Sequence, residues 1–405
     1  MSATVGPRVL SPVHPTGFVS YAHADGAESV DRLVQELRLR GVTVIRDIEA
    51  FRAGRSLGGE MADAIEADLV LAHLGRGALE SEAVMQRELG PALWQSARHG
   101  SPVVVIVPHG IGDTREQVDA TIKGRLPYSA EATWAPAPEP DGEALSHASA
   151  AAAARASLRS LYGPARGEGA QRREVLLLTR GDAQHGDGLV IDATGLTGGP
   201  ARRFGAPADW ARVKNAIDDL ATTLGAHGPA RKLTVTANAH ATGGFLFGRA
   251  FNRPAQWELR LTGPAGDCVP STRRSMEDLL ELRVDGSHAD RRLLIGIDLA
   301  SRQVATAIDR LCAEQGARPG TIVVFERRNS GADLTTCQIS DAAAAISTRI
   351  KALIDERSPA RIDLFIAAPS TLPVLLSAEM ATLGLPIGLW EHDDAHYVHT
   401  LDLNP

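Results

Sequence analysis

Residues 102–108 read PVVVIVP, and this apolar run decides the fold class of the chain. An uninterrupted run of β-branched residues is typical of a strand that is buried on both faces of a parallel sheet. Three further strand-like runs precede it, at 17–22 (GFVSYA), 42–47 (VTVIRD) and 68–74 (DLVLAHL), and residues 30–39 (VDRLVQELRL) have the apolar spacing of a helix. Strands that alternate with helices in this way predict an α/β fold with a central parallel sheet.

Composition and charge exclude several classes of protein. The chain has 405 residues with 44% hydrophobic and 22% charged residues, which indicates globular domains rather than disorder. The net charge of −7 argues against a protein that coats long nucleic acid. Three separated cysteines offer neither a disulfide framework nor a zinc site, so no metal is expected. No signal peptide or membrane-spanning run is found, and we expect a cytoplasmic protein without a membrane partner.

The chain divides into three parts by composition. Strand–helix alternation covers residues 12–127, which form the first predicted domain. Residues 128–170 are rich in proline, glycine and alanine, and they predict a linker that contains one helix, with a disordered linker as the alternative. Residues 171–405 return to the alternating pattern and form the second predicted domain.

A weak internal repeat appears in the second domain. Residues 232–261 and 361–390 each contain an apolar strand, a polar turn, a helix and a second strand. An amphipathic helix precedes each copy, at 209–224 and 341–356. Two such α/β halves predict a ligand site beyond the carboxyl ends of their strands, where the loops beginning at 238 and 367 lie.

The first domain resembles the TIR family through an ordered set of short motifs. The motifs are F-x-S-Y (18–21), G-x-x-V-x-x-D (41–47), A-G-x-x-L (53–57), A-I-x-A-D (64–68) and R-E-L (87–89). The resemblance implies a flavodoxin-like domain that either hydrolyses NAD⁺ to nicotinamide and an ADP-ribose product or only binds other TIR domains. A TIR cyclase that makes a cyclic ADP-ribose signal is a further alternative.

In the enzymatic branch, the catalytic glutamate of the family corresponds to Glu88. Cleavage of the nicotinamide–ribose bond builds positive charge on the sugar, and a carboxylate stabilises that charge as it develops. An exposed structural glutamate is the alternative. The sequence departs from many active relatives at Val84, where they carry an aromatic residue. By the same resemblance, the candidate NAD⁺-binding residues are Phe18, Tyr21, His23, Asp47 and Leu57.

The second domain resembles a SAVED domain, most clearly over residues 361–403. This family consists of two fused CARF-like Rossmannoid halves that bind cyclic oligonucleotides, commonly cyclic trinucleotides such as cyclic tri-adenylate, in the anti-phage systems called CBASS. Glycines and helix amino termini suit phosphates, aromatic rings suit bases, and arginines suit anions. Core packing and solvated surface are the alternatives for each. The candidate ligand residues are Arg202, Arg203, His240, Thr242, Gly243, Gly244, Phe245, Arg327, Arg328, Pro369, Ser370, Thr371, Trp390 and Tyr397.

Together, the two resemblances imply an effector in which the sensor controls the enzyme. TIR active sites in enzymatic relatives are completed by a neighbouring TIR domain, so the ligand is expected to act by driving head-to-tail self-association into a filament. NAD⁺ would be the substrate, a cyclic trinucleotide the activator, and no cofactor is expected.

Overall fold

The computed structural model describes most of the chain, and it divides into two compact units. Unit 1 comprises Met1–Gly169, Gly186–Ile191 and Thr222–Pro229, and unit 2 comprises Ala170–His185, Asp192–Ala221 and Ala230–Pro405. The described residues are 14–22, 26–46, 67–112, 115–123, 125–126, 128–129, 132–135, 143–162, 173–181, 188–198, 204–226, 231–263, 266–272, 279–285, 291–300, 303–316, 321–327, 334–393 and 396–404.

Unit 1 is built on a parallel five-stranded sheet in the order β2-β1-β3-β4-β5. Its elements are β1 (Thr16–Ser20), α1 (Ala27–Leu39), β2 (Thr43–Arg46), β3 (Leu69–Leu74), α2 (Arg76–Glu80), a π-helix (Ala83–Leu89), α3 (Gly90–His99), β4 (Val103–Pro108), α4 (Arg115–Lys123), β5 (Thr133–Trp134) and α5 (His147–Leu161). The apolar run at 102–108 forms β4, whose neighbours in the sheet are β3 and β5. The predicted parallel α/β fold is confirmed.

The segment interpreted as a linker contributes two of these elements. Residues Thr133 and Trp134 pair with β4 as the fifth strand. The alanine-rich stretch forms α5, which begins at an N-cap serine, Ser146, and packs against α1 and β4. Most of its buried positions are small residues such as Ala150 and Ala154, which allow close contact with the layer beneath. The interpretation of 128–170 as a linker is therefore corrected for β5 and α5, which are parts of unit 1.

Two further sheets follow along the chain. The first has the order β10-β9-β8-β6-β7, and the second has the order β11-β13-β12-β14-β15-β16. The elements are β6 (Arg173–Leu178), β7 (Leu189–Asp192), α6 (Thr194–Thr197), α7 (Pro207–Ala226), β8 (Lys232–Asn238), α8 (Ala241–Ala250), β9 (Glu258–Gly263), β10 (Gly266–Cys268), β11 (Leu279–Asp285), β12 (Arg292–Asp298), α9 (Val304–Glu314), β13 (Thr321–Arg327), α10 (Thr336–Arg357), β14 (Arg361–Ala367), α11 (Thr371–Met380), β15 (Ile387–Asp393) and β16 (His396–Leu403).

The internal repeat is visible as two strand–helix–strand units of matching order. In the first copy β8 leads through α8 into β9, and in the second β14 leads through α11 into β15. The preceding amphipathic helices are α7 and α10, both slightly longer than the sequence predicts. A capping box, in which Thr335 and Gln338 bond reciprocally, begins α10. Helices α8 and α11, equivalent in the two copies, pack directly against each other.

Candidate functional site

Glu88 lies at the carboxyl end of an inner strand of the first sheet. The hydroxyl of Ser20, the last residue of β1, donates a hydrogen bond of 2.6 Å to Glu88 Oε2. Ser20 is 1% exposed, whereas Glu88 is only partly buried. A buried donor therefore holds one oxygen of a carboxylate that retains contact with solvent. Ligands of open parallel sheets bind at this edge.

The helical turn that carries Glu88 is a π-helix, and Pro91 explains why it forms. A proline inside a regular α-helix lacks the N–H that would bond to the carbonyl four residues earlier, here that of Arg87, and its ring collides with that carbonyl. The wider turn of the π-helix relieves this conflict just before α3 begins. Isolated π-turns are rare overall, and many of those that occur lie at functional sites. Gln86 and Arg87 are exposed, and Glu88 is the residue that reaches β1.

The remaining candidate NAD⁺-binding residues have different positions. Phe18 is 3% exposed and packs in the apolar core beneath the π-helix, together with Val84. Its contact with the substrate stays a prediction. Tyr21 follows β1 directly and is 7% exposed. The predicted residues His23, Asp47 and Leu57 lie outside the described residues.

A buried histidine pair also occupies this end of the sheet, and the sequence analysis did not single it out. His73 Nε2 lies 3.2 Å from His109 Nδ1, and the two side chains are 0% and 6% exposed. Ser20 is level with Ala72 in the sheet, and side chains alternate along a strand, so His73 points to the face opposite Ser20. The pair therefore lies on the other side of the sheet from Glu88. A histidine within the apolar run DLVLAHL was the available signal.

In unit 2, the amino terminus of α8 is closed by a side chain of the second repeat. The backbone N–H of Thr242 donates to the carboxylate of Glu391 on β15, and the hydroxyls of Thr242 and Thr400 lie 2.7 Å apart. Burial raises the pKa of Glu391 to about 7, against the hydrogen bonds from Thr242 that lower it. The backbone N–H of Thr242 is therefore hydrogen-bonded to a carboxylate of the protein itself, that of Glu391. The ligand role of Thr242 stays a prediction.

His240, which precedes α8, is held by Thr179. The Thr179 hydroxyl accepts from His240 N at 2.7 Å and lies 3.1 Å from His240 Nδ1. Burial, together with the charge of Arg180, lowers the pKa of His240 to about 4. The imidazole is therefore neutral near pH 7, and its ring packs edge-on against Trp210 at 5.8 Å. It is placed as a core histidine rather than as a cationic phosphate ligand.

The glycines of α8 serve packing rather than ligand approach. A Cβ on Gly243 would lie 2.6 Å from Thr179 Cγ2, and one on Gly244 would lie 3.1 Å from the carbonyl oxygen of Ser370. One turn later, a Cβ on Gly248 would lie 1.9 Å from the carbonyl oxygen of Val374. Phe245 is 1% exposed. These residues let α8 pack closely on its neighbours, and the predicted ligand role of Gly243, Gly244 and Phe245 stays a prediction.

The two carboxy-terminal aromatic candidates are engaged with the core. Trp390 Nε1 donates to Asp363 Oδ1 at 3.1 Å, and its ring stacks on Phe365 with centroids 5.2 Å apart. Asp363, 0% exposed, also accepts from Arg292 and Arg361. The ring of Tyr397 makes an edge contact with Phe365 at 5.0 Å. Trp390 and Tyr397 are 9% and 5% exposed, so their rings pack in the core, and their roles in ligand binding stay predictions.

The loop after β14 begins at the carboxyl end of that strand, where the sequence predicts a binding loop. Pro369 is exposed, and Ser370 is partly exposed with its hydroxyl donating to the carbonyl of Ala237 at 2.6 Å. Thr371 is 7% exposed, and its hydroxyl has no hydrogen-bond partner among the described residues. Arg327 ends β13 and is partly exposed. Arg202, Arg203 and Arg328 lie outside the described residues.

A comparison with protein families locates a known domain in the first sheet. The matched span runs from residue 18 to residue 133, so it begins in β1 and ends in β5 and contains both Ser20 and Glu88. Residues 18–133 match the TIR domain family. The predicted TIR domain at the amino-terminal end is confirmed. A comparison with curated proteins finds no match to the sequence.

Solved structures of Cap4 SAVED/CARF-domain containing receptors are similar to the chain. A receptor from Acinetobacter baumannii with the cyclic trinucleotide 3′3′3′-cAAA is 12% identical, with a TM-score of 0.48, over 77% of this chain and 84% of that chain. Another structure of the A. baumannii receptor is 10% identical, with a TM-score of 0.47, over 83% and 88% of the two chains. A receptor from Moraxella osloensis is 14% identical, with a TM-score of 0.45, over 86% and 83%.

The described residues were compared with the requirements of a metal site and of a membrane-spanning helix. Among them, no group of three or more His, Cys, Asp or Glu side chains is arranged to hold a metal ion. Within the same residues, no helix combines the length and the apolar character needed to cross a bilayer.

Proposed function

We propose that the TIR region hydrolyses NAD⁺ to nicotinamide and ADP-ribose, with Glu88 as the catalytic carboxylate. The observation that supports this most directly is the hydrogen bond from buried Ser20 to Glu88 at the carboxyl edge of the sheet. This bond fixes the direction of the Glu88 carboxylate at the strand end, where the ribose of the substrate would bind.

The chemistry matches the residue type. As the bond between nicotinamide and ribose breaks, the sugar gains oxocarbenium character, and a negative group fixed beside it stabilises the transition state more than the ground state. Nicotinamide leaves as a neutral molecule, so neither a general acid nor a cofactor is needed. Water then takes the place of nicotinamide at the anomeric carbon and gives ADP-ribose.

We further propose that unit 2 is a SAVED-type sensor that binds a cyclic oligonucleotide, most specifically a cyclic trinucleotide. The sequence resemblance and the two strand–helix–strand repeats support this assignment. Ligand binding would favour head-to-tail association of chains, and an association that does not close into a ring yields a filament. The ligand can shift this equilibrium only through its preference for the assembled state. The whole would act as a CBASS effector that depletes NAD⁺.

The experiment is to screen cyclic di-, tri- and tetranucleotides for stimulation of NAD⁺ loss by the full-length protein. Light scattering on the same samples follows assembly. We expect a cyclic trinucleotide to trigger both, and Glu88→Gln to abolish NAD⁺ loss while assembly persists. Glu80→Gln, an exposed carboxylate in the same helical region, is the matched control and should retain full activity.

The alternatives give different results in the same assay. Wild-type protein that is inert toward NAD⁺ with every ligand, yet assembles, would indicate a TIR scaffold. Conversion of NAD⁺ to a cyclic isomer instead of ADP-ribose would indicate a cyclase. Ligand-stimulated turnover by a species that stays monomeric would refute activation by assembly.

A further inference from the structure

Two carboxylates lie side by side at the carboxyl end of the sheet that contains β12. Asp298 ends β12, and Glu326 is level with it on the neighbouring parallel strand β13. Residues in register on parallel strands project from the same face, so the two acids share one face of the sheet. Asp298 Oδ2 accepts from the backbone N–H of Val304 at the start of α9, at 3.1 Å. The side chain of Glu326 makes no hydrogen bond or ion pair with any other described residue.

The hydroxyl of Tyr397 joins this face. Its ring contacts Phe365, which lies two residues before Ala367, and Ala367 is level with Asp298. Tyr397 is 5% exposed, and its hydroxyl has no hydrogen-bond partner among the described residues. Burial and then the charge of Asp298 raise the pKa of Tyr397, so the hydroxyl keeps its proton. A buried, protonated hydroxyl without a partner among the described residues therefore lies on the same face as the two acids, within reach of the charge of Asp298.

The chemistry of this cluster limits what it can bind. Ionised carboxylates only accept hydrogen bonds, and they repel phosphate. The described residues do not supply a third metal ligand here. Burial, reinforced by the charge of Asp298, raises the pKa of Glu326, which indicates that the negative charge at this position is poorly compensated. The complementary partner is a group that donates hydrogen bonds to the acids and accepts one from the tyrosine.

We propose that Asp298, Glu326 and Tyr397 form a subsite that reads the amino-bearing edge of a nucleobase in the bound cyclic oligonucleotide. Adenine and cytosine present an exocyclic amino group beside an unprotonated ring nitrogen. The acids accept from the amino group, and the tyrosine hydroxyl donates to the ring nitrogen. Uracil and hypoxanthine present the reversed pattern and are rejected. This inference rests on the proposed sensor function of unit 2.

The test combines one protein variant with one ligand variant. Tyr397→Phe removes the hydroxyl and keeps the ring that packs on Phe365. Because the hydroxyl has no partner among the described residues, we expect the melting temperature to stay unchanged or to rise. The ligands are cyclic tri-adenylate and its analogue built from purine riboside, which lacks only the amino group. Binding to the full-length protein is measured by calorimetry, independently of NAD⁺ cleavage.

We expect Tyr397→Phe and Glu326→Gln each to weaken cyclic tri-adenylate binding by about 10- to 100-fold, the range of one good polar contact to a base. Removal of the amino group should weaken binding to wild type by a similar factor and to Glu326→Gln much less. Glu314→Gln, an exposed acid on α9, is the matched control and should bind as wild type.

The outcomes separate this inference from the proposed function. If wild type binds cyclic tri-adenylate but neither the variants nor the loss of the amino group weakens binding, the subsite is refuted and the sensor function stands. If wild type binds no cyclic oligonucleotide, the sensor function fails, and the subsite fails with it.

Discussion

The carboxylate of Glu391 accepts a hydrogen bond from the backbone N–H of Thr242, although the two residues are 149 positions apart in the chain. The contact joins β15 of the second repeat to the start of α8 in the first. An acid at a helix amino terminus is favourable, but burial opposes its ionisation. The balance of these two effects makes the stability of unit 2 sensitive to pH.

The first prediction concerns Glu391 and its pH dependence. Its folded-state pKa of about 7 lies above the ordinary value of 4.5, so between these pH values the folded state binds more protons than the unfolded state. Raising the pH through this window therefore lowers the free energy of unfolding, by about 3 kcal/mol in total. Glu391→Gln keeps an acceptor for the Thr242 N–H and should remove this loss. Urea unfolding from pH 4 to 8 measures it.

The titration of His240 has the opposite effect on the pH dependence of the free energy of unfolding. Its pKa is lowered from 6.5 to about 4, so the unfolded state binds more protons in that window, and stability rises as the pH rises. The two effects oppose each other in wild type between about pH 4.5 and 6.5. Compared with wild type, Glu391→Gln should show a steeper increase of the free energy of unfolding with pH. His240→Asn should instead show a decrease of the free energy of unfolding as the pH rises. Parallel curves for all three proteins would contradict the prediction.

The second prediction concerns the anchor of the proposed catalytic carboxylate. Ser20→Ala removes the donor to Glu88 Oε2 and leaves a partly buried carboxylate without that partner. Hydrogen bonds to charged groups contribute about 1.5–3 kcal/mol, so we expect kcat/KM for NAD⁺ cleavage to fall by about 10- to 100-fold. Activator binding by unit 2 should be unchanged, which calorimetry on the same protein checks.

The third prediction concerns the π-helix. Pro91→Ala restores the missing N–H and removes the clash with the carbonyl of Arg87, so a regular α-helix becomes possible and the direction of Glu88 changes. We expect unchanged or higher thermal stability together with a loss of NAD⁺ cleavage of about tenfold or more, because small misplacements of a catalytic group are costly. Full activity of a stably folded Pro91→Ala protein would show that the π-helix does not position Glu88.

The fourth prediction concerns the buried ion pair of α1. Arg40 and Glu36 are 0% and 1% exposed, and Arg40 donates to the carboxylate of Glu36. Arg40→Met removes the cationic partner of the buried Glu36 carboxylate. This single change should destabilise unit 1 by about 3–5 kcal/mol in urea unfolding. The double variant Glu36→Leu with Arg40→Met should recover most of this loss. A double variant no more stable than the single one would contradict this reading.

The fifth prediction concerns the contact between α8 and α11. Gly248→Ala places a methyl group 1.9 Å from the carbonyl oxygen of Val374 and 2.2 Å from Ser377 Oγ, so the helices must separate. We expect a loss of about 3 kcal/mol or more in the free energy of unfolding. Gly384→Ala is the control, because a Cβ there meets nothing within 4 Å and should leave stability nearly unchanged.

Local sequence patterns were sufficient for most of the elements of the two α/β regions, although they missed β5. The alternation of apolar runs and amphipathic helices predicted the parallel sheet of unit 1, and self-similarity predicted the matching strand–helix–strand copies of unit 2. The spacing of short motifs located Glu88 as the candidate catalytic residue. These features depend on residues that are close in sequence, where the periods of helices and strands can be read directly.

Sequence patterns could not show which distant residues surround a candidate ligand residue. Gly243 and Gly244 read as room for phosphate, but the room is filled by Thr179 and Ser370. Trp390 read as a stacking platform, but Phe365 covers its ring and Asp363 takes its N–H. The same residue types can serve core packing or ligand binding, and only the spatial neighbours of a residue distinguish these two roles.

The sequence alone determined the fold class, the order of the elements, the TIR domain and the position of Glu88 within its motif, because hydrophobic periodicity and short motifs are local properties of a chain. Only the tertiary structure decided which polar groups are satisfied by the protein itself. Burial makes an unpaired polar atom costly. The long-range pairings of Glu391 with Thr242 and of Ser20 with Glu88 are contained in no local pattern. The same is true of the Tyr397 hydroxyl, which has no hydrogen-bond partner among the described residues.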